Sequence, residues 1–148
     1  MIKIDRATVS DAPEISRLYR TSCDTALPFL PKLHTPKDDL EFFSKHIFPQ
    51  NEVFLARNPK GRILGFIAFD ETTINELFLM PGFGRQGIGT RLLDVAKRQR
   101  KKLQLWTFKR NEVAKQFYAK QGFKPIRETD GSGNEEKEPD VLYEWTAE

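Results

Sequence analysis

Residues 77–94 read Leu-Phe-Leu-Met-Pro-Gly-Phe-Gly-Arg-Gln-Gly-Ile-Gly-Thr-Arg-Leu-Leu-Asp, and this stretch decides the fold. Its apolar start is typical of a strand, and this strand ends at Pro81 and Gly82. From Ile88 onward, apolar residues recur at helical spacing. Glycines let backbone N–H groups approach a ligand closely, and the N-terminus of a helix has unpaired N–H donors. The order of strand, glycine-rich turn and helix therefore predicts a phosphate or pyrophosphate site, flanked by Arg85 and Arg91. A tight turn without a ligand is the alternative interpretation.

Two other phosphate-binding motifs do not fit this stretch. A P-loop requires Gly-Lys followed by Ser or Thr, which the chain does not contain. Gly82, Gly84 and Gly87 have the spacing of a dinucleotide-binding turn. The acidic residue expected about 20 positions later is absent, however, because residues 97–102 form a basic run.

The rest of the chain alternates between strands and helices without an internal repeat or a linker. The predicted strands are 2–6, 53–57, 62–70, 73–80, 103–108, 123–128 and 141–145. The predicted helices begin after Ser10 and Asp11, then span 38–46 with an end before Pro49, 87–100 and 111–121. Prolines and glycines predict loops at 27–35 and 129–140.

The composition fits one globular domain over residues 1–148, since 39% of the residues are hydrophobic and 30% are charged. Cys23 is the only cysteine, which excludes an intrachain disulfide, and His34 and His46 are the only histidines, which argues against a metal centre. No apolar run reaches the ~18–20 residues of a membrane span, and the N-terminus lacks the apolar segment of a signal peptide. We therefore expect a cytoplasmic protein that needs no metal and no membrane.

The formal net charge of +3 conceals a strong asymmetry. Residues 85–127 contain 13 Lys and Arg against 2 Asp and Glu, whereas residues 128–148 contain 1 against 8. A basic segment predicts a polyanionic partner, either a nucleic acid or a phosphate-rich cofactor. The run 97–102 lacks interleaved aromatic residues for base stacking, which argues against nucleic acid and favours the exposed basic end of a helix.

The glycine-rich turn and the helix at 111–121 resemble the two signatures of the GNAT-type N-acetyltransferases. The first signature reads Gln/Arg-x-x-Gly-x-Gly/Ala after a strand; Gly87-Ile88-Gly89 matches its end, although Gly84 stands where the family has Gln or Arg. The second signature is matched by Asn111, Ala114, Phe117-Tyr118 and Gly122-Phe123. The resemblance covers essentially the whole chain. It implies an α/β fold with a single mixed, mostly antiparallel sheet that has a central splay, helices on both faces, and acetyl-CoA as cosubstrate.

The resemblance also implies which residues bind acetyl-CoA. The backbone of Leu77, Phe78 and Leu79 would pair with the pantetheine arm, and the N–H of Leu79 would stabilise the reaction's oxyanion. The pyrophosphate would lie on Arg85, Gln86, Gly87, Ile88, Gly89 and Thr90. Asn111 would hydrogen-bond the pantetheine or cap the next helix, and the two roles can coexist.

Two side chains are expected to take part in direct transfer of the acetyl group to an amine. Tyr118 would protonate the departing thiolate, with a plain core aromatic as the alternative. Glu76, on the strand that would hold the acetyl group, is the first candidate for the general base; an exposed strand glutamate is the alternative, and Asp70 and Glu71 are the other candidate bases. Some family members have a catalytic Glu five residues before the Asn. Trp106 stands there, and we expect it to wall the acceptor site or pack in the core.

The expected partner is a primary amine of a small molecule or a peptide, recognised by the loop 27–35 and the final hairpin. Acidic residues of that hairpin, including Glu135 and Glu136, would favour a cationic acceptor, with a solvated charge run as the alternative. A homodimer is a further option. Two other functions are kept as alternatives: acetylation of RNA-borne amines, and a non-catalytic acyl-CoA-binding module.

Overall fold

A computed structural model describes all 148 residues of the chain. Its strands are β1 (Lys3–Arg6), β2 (Glu52–Arg57), β3 (Ile63–Phe69), β4 (Ile74–Leu79), β5 (Lys102–Phe108), β6 (Lys124–Thr129) and β7 (Asp140–Thr146). Its α-helices are α1 (Ala12–Ala26), α2 (Pro36–Phe42), α3 (Phe48–Gln50), α4 (Ile88–Gln99) and α5 (Glu112–Lys120). A 3-10 turn at Val9–Asp11 precedes α1, and a π-helical segment at Phe43–Ile47 joins α2 to α3. None of these helices combines the length and the apolar character needed to traverse a lipid bilayer.

The sheet divides into two antiparallel parts, ordered β1-β2-β3-β4 and β5-β7-β6. The parts meet where β4 begins: Thr73 forms a parallel bridge with Gln104, and the N–H of Gln104 donates to the carbonyl of Thr72 at 2.8 Å. Beyond this bridge nothing pairs β4 with β5, so the two strands separate toward the end of β4. This confirms the mixed, mostly antiparallel sheet with a central splay, and the splay leaves room for a ligand.

Helices cover both faces of the sheet, which is also confirmed. On one face, α4 and α5 pack over a core that includes Leu92, Leu93, Leu105, Tyr118 and Tyr143. On the other face, α1 and the π-helical segment pack over Ile15, Leu18, Phe43, Leu55 and Phe66. Burial of one large apolar side chain contributes about 1.5–3 kcal/mol, so these two cores hold the helices on the sheet.

A β-bulge in β4 decides which way its side chains point. Ala68 of β3 is paired with Glu76, but the next residue, Phe69, is paired with Ile74. Asn75 is therefore the extra residue, and the side-chain alternation of β4 shifts at this position. As a result Glu76 lies on the face of the sheet that α1 covers.

The prediction that Pro49 ends the second helix is wrong. The chain widens into the π-helical segment after α2 and then continues as α3 to Gln50. Pro49 lies in the first turn of α3, where the missing N–H of proline is tolerated.

Two residues of the basic run 97–102 hold elements together instead of extending into solvent. The ammonium of Lys97 donates to the carbonyl of Gln121 at 2.6 Å, and the guanidinium of Arg100 pairs with Glu52 at 2.9 Å. The prediction of an exposed helix end is therefore wrong for these two side chains, because both bind groups of other elements and stabilise the fold.

Candidate active site

The gap between β4 and β5 opens into a cleft of about 480 Å³, here called the β4–β5 cleft. Its walls are the last turns of α1, the end of β4, the glycine-rich turn, the start of α4 and one face of α5. Most of the lining is apolar, and a few polar groups converge on it, among them Thr90, Asn111 and Tyr118. This combination is typical of a cofactor or small-molecule site.

The end of β4 presents free backbone groups to this cleft. The N–H of Met80 donates to the carbonyl of Leu64 at 2.8 Å, and antiparallel pairing alternates hydrogen-bonded with non-hydrogen-bonded residues. The backbone of Phe78 therefore faces β3, whereas the N–H and C=O groups of Leu77 and Leu79 face the gap. An extended ligand with amide groups can pair with Leu77 and Leu79, while Phe78 lines the cleft.

The glycine-rich turn offers a run of unpaired donors. No backbone N–H from Gly84 to Thr90 donates a hydrogen bond of normal geometry within the chain, and the first helical bond runs from the N–H of Arg91 to the carbonyl of Gly87 at 3.0 Å. Gly87 has a φ of 75°, a left-handed conformation that glycine adopts without a Cβ penalty. Together with the positive end of the α4 dipole, these N–H groups can bind an anion.

The side chains of this predicted phosphate-binding segment have different surroundings. Arg85 and Gln86 are exposed, whereas the side chain of Ile88 is buried in the core, so only its backbone is available to a ligand. The guanidinium of Arg91 donates to the carbonyl of Ile2 at 3.0 Å. Of the two flanking arginines, neither of which forms an ion pair, Arg85 is therefore the one whose guanidinium makes no hydrogen bond within the chain.

Helices α4 and α5 approach closely beside the cleft because Gly89 has no side chain. A Cβ atom at Gly89 would lie 3.2 Å from Cζ of Phe117. The hydroxyl of Thr90 adds a polar link, since it accepts from the amide of Gln121 at 3.1 Å. The two glycines of the motif thus act differently: Gly87 permits the turn and Gly89 permits the helix contact.

Asn111 caps α5 at the edge of the cleft. Its Oδ1 accepts from the N–H of Ala114 at 3.2 Å, and its own N–H donates to the carbonyl of Phe108 at 2.9 Å. The predicted capping role is confirmed. Asn111 also lines the cleft, so its role toward pantetheine stays a prediction.

Tyr118 lies at the inner wall of the cleft. Its ring packs against Phe117, Phe123 and Tyr143, with centroid distances of 5.2, 5.7 and 6.4 Å. Burial and, second, the charge of Glu76 raise the pKa of Tyr118 above its ordinary value, so the phenol keeps its proton at neutral pH. The Tyr118 hydroxyl forms no hydrogen bond within the chain. Every fully buried side-chain oxygen does form one, so this hydroxyl is not fully buried and is open to the cleft.

Glu76 lies half-buried on the α1 face of β4, and its carboxylate has no hydrogen bond or ion pair in the chain. Burial and, second, the charge of Glu136 raise the pKa of Glu76 to about 8. Burial followed by the charge of Glu76 also raises the pKa of Tyr19, and raises that of the Cys23 thiol to about 12. The charge of Glu76 thus acts on the pKa values of Tyr118, Tyr19 and Cys23, and the charge of Glu136 acts on that of Glu76.

Asp70 and Glu71, the other two candidate bases, lie outside the β4–β5 cleft. The carboxylate of Asp70 accepts from the N–H groups of Thr72 and Thr73 at 2.9 and 2.8 Å, so it is used to shape the turn before β4. Glu71 is exposed in the same turn. Neither residue lines the β4–β5 cleft.

Trp106 does not occupy the position expected for it. Its side chain is 43% exposed, and the guanidinium of Arg127 lies 5.7 Å from its ring centre. The prediction of a core position is wrong, and the residue lines neither the β4–β5 cleft nor the cavity described next.

A second cavity, of about 190 Å³ and here called the α1 cavity, adjoins the first on the α1 face. Leu27 lines both. The walls of the α1 cavity are α1, the loop 27–35 and the loop between β6 and β7, and its charged lining residues are Arg20, Asp24, Lys32, His34, Glu135 and Glu136. The structure therefore brings together the two loops expected to recognise the acceptor.

Only part of the acidic hairpin faces this cavity. Glu135 and Glu136 line it, whereas Glu138 pairs with Arg110 at 2.6 Å. Asp130 accepts from the N–H of Ser132 at 2.9 Å within its own turn. Glu138 and Asp130 thus stabilise the hairpin itself, whereas Glu135 and Glu136 are the acidic residues placed to contact an acceptor.

The contribution of α1 was not foreseen from the sequence. Ser22, Thr25 and Ala26 line the β4–β5 cleft, and Tyr19 and Cys23 line the α1 cavity. A signal was present, because Ser22 and Ala26 continue the apolar stripe of Ile15, Leu18 and Tyr19 with small residues, which leave space beside the sheet.

Comparison with known proteins agrees with this geometry. Residues 49–125 match the model of the acetyltransferase (GNAT) domain. The chain is 28% identical over 151 residues to an uncharacterized N-acetyltransferase of Archaeoglobus fulgidus, which covers 90% of this chain and 100% of that protein. It is 26% identical over 124 residues to the peptidyl-lysine N-acetyltransferase YjaB of Escherichia coli, covering 84% of this chain and 83% of YjaB.

Solved structures show the same fold. The solution structure of apo YjaB from Escherichia coli matches with a TM-score of 0.80 at 22% identity, over 100% of this chain and 99% of that one. The PaiA N-acetyltransferase of Thermoplasma acidophilum, crystallised with coenzyme A, matches with a TM-score of 0.77 at 20% identity, over 99% of both chains. The family model spans more than half of the chain and includes β4, the glycine-rich turn and the helix with Tyr118. The chain therefore belongs to the GNAT family of acetyltransferases, enzymes whose cosubstrate is acetyl-CoA.

Proposed function

We propose that the chain transfers the acetyl group of acetyl-CoA directly to a primary amine of a small molecule or a peptide. The observation that carries this proposal is the position of Glu76. Its side chain lies on the α1 face of β4 without a hydrogen bond or ion pair, and the residues after it, Leu77 and Phe78, line the β4–β5 cleft. On the same face, Tyr19 packs on Phe78 at 5.1 Å and lines the α1 cavity. A candidate proton acceptor thus lies on the strand that borders the cleft suited to the cosubstrate, and on the sheet face covered by the helix that borders the cavity suited to the amine.

The β4–β5 cleft can bind acetyl-CoA in an extended arrangement. The pyrophosphate would accept hydrogen bonds from the N–H groups between Arg85 and Thr90, and Arg85 would supply the charge that Gly84 does not. The pantetheine amides would pair with the free backbone groups of Leu77 and Leu79 and approach Asn111. This arrangement directs the thioester toward Glu76 and Tyr118.

The acceptor must lose a proton before it can attack. An alkyl ammonium has a pKa of about 10.4, so transfer of its proton to an ordinary carboxylate is uphill by about 8 kcal/mol. For Glu76, whose pKa is raised to about 8, the same transfer is uphill by only about 3 kcal/mol. The burial of Glu76 therefore makes it a better base for an amine than an exposed carboxylate.

Bond formation then follows without a covalent enzyme intermediate. The amine nitrogen bonds to the thioester carbon, and the N–H of Leu79 is available to stabilise the oxyanion. As the carbon–sulfur bond breaks, the phenol of Tyr118 gives its proton to the thiolate. The proton that the nitrogen still carries after its attack passes to the Tyr118 phenolate and restores the phenol, and the first proton, held by Glu76, leaves to solvent.

A small excess of acidic charge in the α1 cavity favours a cationic acceptor. Asp24, Glu135 and Glu136 line it against Arg20, Lys32 and His34. Asp39 pairs with Arg20 at 2.8 Å and His34 pairs with Glu135, which leaves Asp24 and Glu136 against Lys32. A lysine side chain and a small polyamine both present the primary ammonium group that such a cavity attracts. YjaB, which is named a peptidyl-lysine N-acetyltransferase, makes a lysine-containing peptide the first acceptor to test.

The test is thiol release from acetyl-CoA with a panel of amines that includes a lysine peptide and spermidine. We expect release that depends on the amine, and we expect Glu76→Gln to lower turnover by about 10²-fold while coenzyme A still binds. Glu148→Gln, which makes the same change at the exposed C-terminus, is the matched control. Binding of acetyl-CoA without any amine-dependent release would instead identify a non-catalytic acyl-CoA-binding module.

A further inference from the structure

The loop 27–35 forms the roof of the α1 cavity and has little backbone structure of its own. Pro28 and Pro31 lack N–H groups, and Leu30 donates one turn bond, to the carbonyl of Leu27 at 3.1 Å. Side-chain contacts must therefore set the position of this roof. Two of these contacts join the roof to other loops, one through His34 and one through Phe29.

The Phe29 contact is formed by the turn between β5 and α5. The ring of Phe29 meets Phe108 edge to face at 6.3 Å, and the guanidinium carbon of Arg110 lies 4.1 Å from the centre of the same ring. A cation above an aromatic face is attracted by the ring's quadrupole. Phe29 is thus held by both ends of one short turn.

Arg110 is itself fixed by the loop between β6 and β7. Its Nη2 and Nε bind the carboxylate of Glu138 at 2.6 and 3.2 Å, a bidentate pair with little rotational freedom. Glu138 is held in turn, because its N–H and C=O are both bonded to the side chain of Asn134. The guanidinium plane is therefore oriented before Phe29 packs on it.

The same turn leads directly to the β4–β5 cleft. Asn111, which follows Arg110 in the chain, lines the cleft, and its N–H closes the turn onto the carbonyl of Phe108 at 2.9 Å. A ligand that contacts Asn111 stabilises this turn and with it both residues that hold Phe29. Leu27, the first residue of the roof, lines the cleft as well.

From these contacts we infer that Arg110 is a positioning residue that couples occupancy of the β4–β5 cleft to closure of the roof over the α1 cavity. The inference rests on the proposed function, because it assigns the cleft to the cosubstrate and the cavity to the amine. Arg110 touches neither. It acts through Phe29 on one side and through the turn ending at Asn111 on the other.

Trypsin reports on the roof directly, because Lys32 is the only Lys or Arg between residues 27 and 35. Lys32 is exposed, but trypsin must bind the residues on both sides of it in extended form, which requires the contacts of Phe29 and His34 to open; the cleavage rate therefore follows the open population. We expect coenzyme A to slow this cleavage in the wild-type chain. We expect Arg110→Ala to be cleaved about fivefold faster, from loss of the cation–π and ion-pair contacts, and to gain no protection from coenzyme A.

Controls separate positioning from a general loss of structure. Arg98→Ala removes an exposed arginine of α4 that contacts no other charged group, and it should behave as the wild type. Arg110→Lys keeps the charge but not the planar bidentate contact, and it should restore part of the protection. Calorimetry on each variant must show that coenzyme A still binds.

The outcomes are distinguishable. If coenzyme A protects Lys32 equally in the wild type and in Arg110→Ala, or protects it in neither although it binds, the inference about Arg110 is overturned and the proposed function stands. If coenzyme A does not bind the wild-type chain, the proposed function fails and the inference falls with it. Protection that is present in the wild type, reduced in Arg110→Lys and absent in Arg110→Ala supports the inference.

Discussion

Nε2 of His34 lies 2.5 Å from Oε1 of Glu135, and this contact joins the loop after α1 to the loop between β6 and β7 over the α1 cavity. The hydrogen bond to Glu135 is the main cause that raises the pKa of His34, and Asp38 and Asp39 of α2 add to it. Both partners are about half exposed, so the contact is reversible and weak compared with a buried ion pair.

We expect Glu135→Gln to return the pKa of His34 toward the ordinary histidine value. Because the folded-state pKa is raised, the contact stabilises the closed loop at acidic pH and is lost as the pH rises through that raised pKa. An NMR titration of the two histidine rings measures this, with His46, which lies against Phe42, as internal reference. An unchanged His34 titration in Glu135→Gln would contradict the contact.

Tyr118→Phe isolates the chemical step from binding. The phenylalanine keeps the ring contacts with Phe117 and Phe123 and removes only the hydroxyl that faces the cleft. We expect turnover to fall by about 10²-fold and the dissociation constant of coenzyme A to stay nearly unchanged. Steady-state kinetics with calorimetry test this, and an undiminished turnover would exclude Tyr118 as the acid.

Gly84 and Gly89 offer a matched pair of alanine substitutions within one motif. A Cβ at Gly84 meets no atom within 4 Å, whereas a Cβ at Gly89 would lie 3.2 Å from Cζ of Phe117. We expect Gly84→Ala to leave stability unchanged. Gly89→Ala should cost about 1–3 kcal/mol through overpacking and should weaken coenzyme A binding by displacing the start of α4. Denaturant unfolding compares the two; equal stabilities would show that the α4–α5 contact adapts.

The motifs allowed the fold and the shape of the glycine-rich turn to be predicted, because both depend on local sequence. The strand, the glycines and the helix at 77–94 determine a backbone shape that needs few distant contacts. The order of the elements then left few topologies with helices on both faces. The N-cap at Asn111 is local in the same sense.

Features that depend on distant partners could not be predicted in this way. The bulge at Asn75 turns Glu76 toward α1, and no periodicity in β4 reveals it. The role of Arg110 depends on Phe29 and Glu138, which lie far away in sequence. The basic run predicts solvent-exposed charge, whereas Lys97 and Arg100 contact Gln121 and Glu52, which come from other elements.

Burial of Glu76 should make stability depend on pH. Its pKa is raised from an ordinary 4.5 to about 8, so between these values the folded state binds the proton more tightly than the unfolded state. Stability therefore falls as the pH rises through this window. We expect Glu76→Gln to be more stable than the wild type at pH 9, by about 1–3 kcal/mol, and equal to it near pH 4, below the ordinary pKa of 4.5. Chemical denaturation at both pH values measures the difference, and a pH-independent difference would show that Glu76 is not buried in its charged form.

Glu136→Gln tests two effects of one charge: whether the α1 cavity attracts a cationic acceptor, and whether Glu136 raises the pKa of Glu76. Glu136 lines the cavity, takes no ion pair, and its charge contributes to the raised pKa of Glu76. Removal of that charge should raise the KM for a dicationic amine such as spermidine and leave the KM for acetyl-CoA unchanged. It should also move the alkaline rise of kcat to lower pH, because Glu76 then loses its proton more easily. Glu148→Gln, beyond the far end of β7, is the control for net charge and should change neither quantity. A raised KM without a shifted pH profile would show that Glu136 contacts the acceptor but does not affect the pKa of Glu76. A shifted pH profile with an unchanged KM would show that Glu136 affects the pKa of Glu76 but does not contact the acceptor.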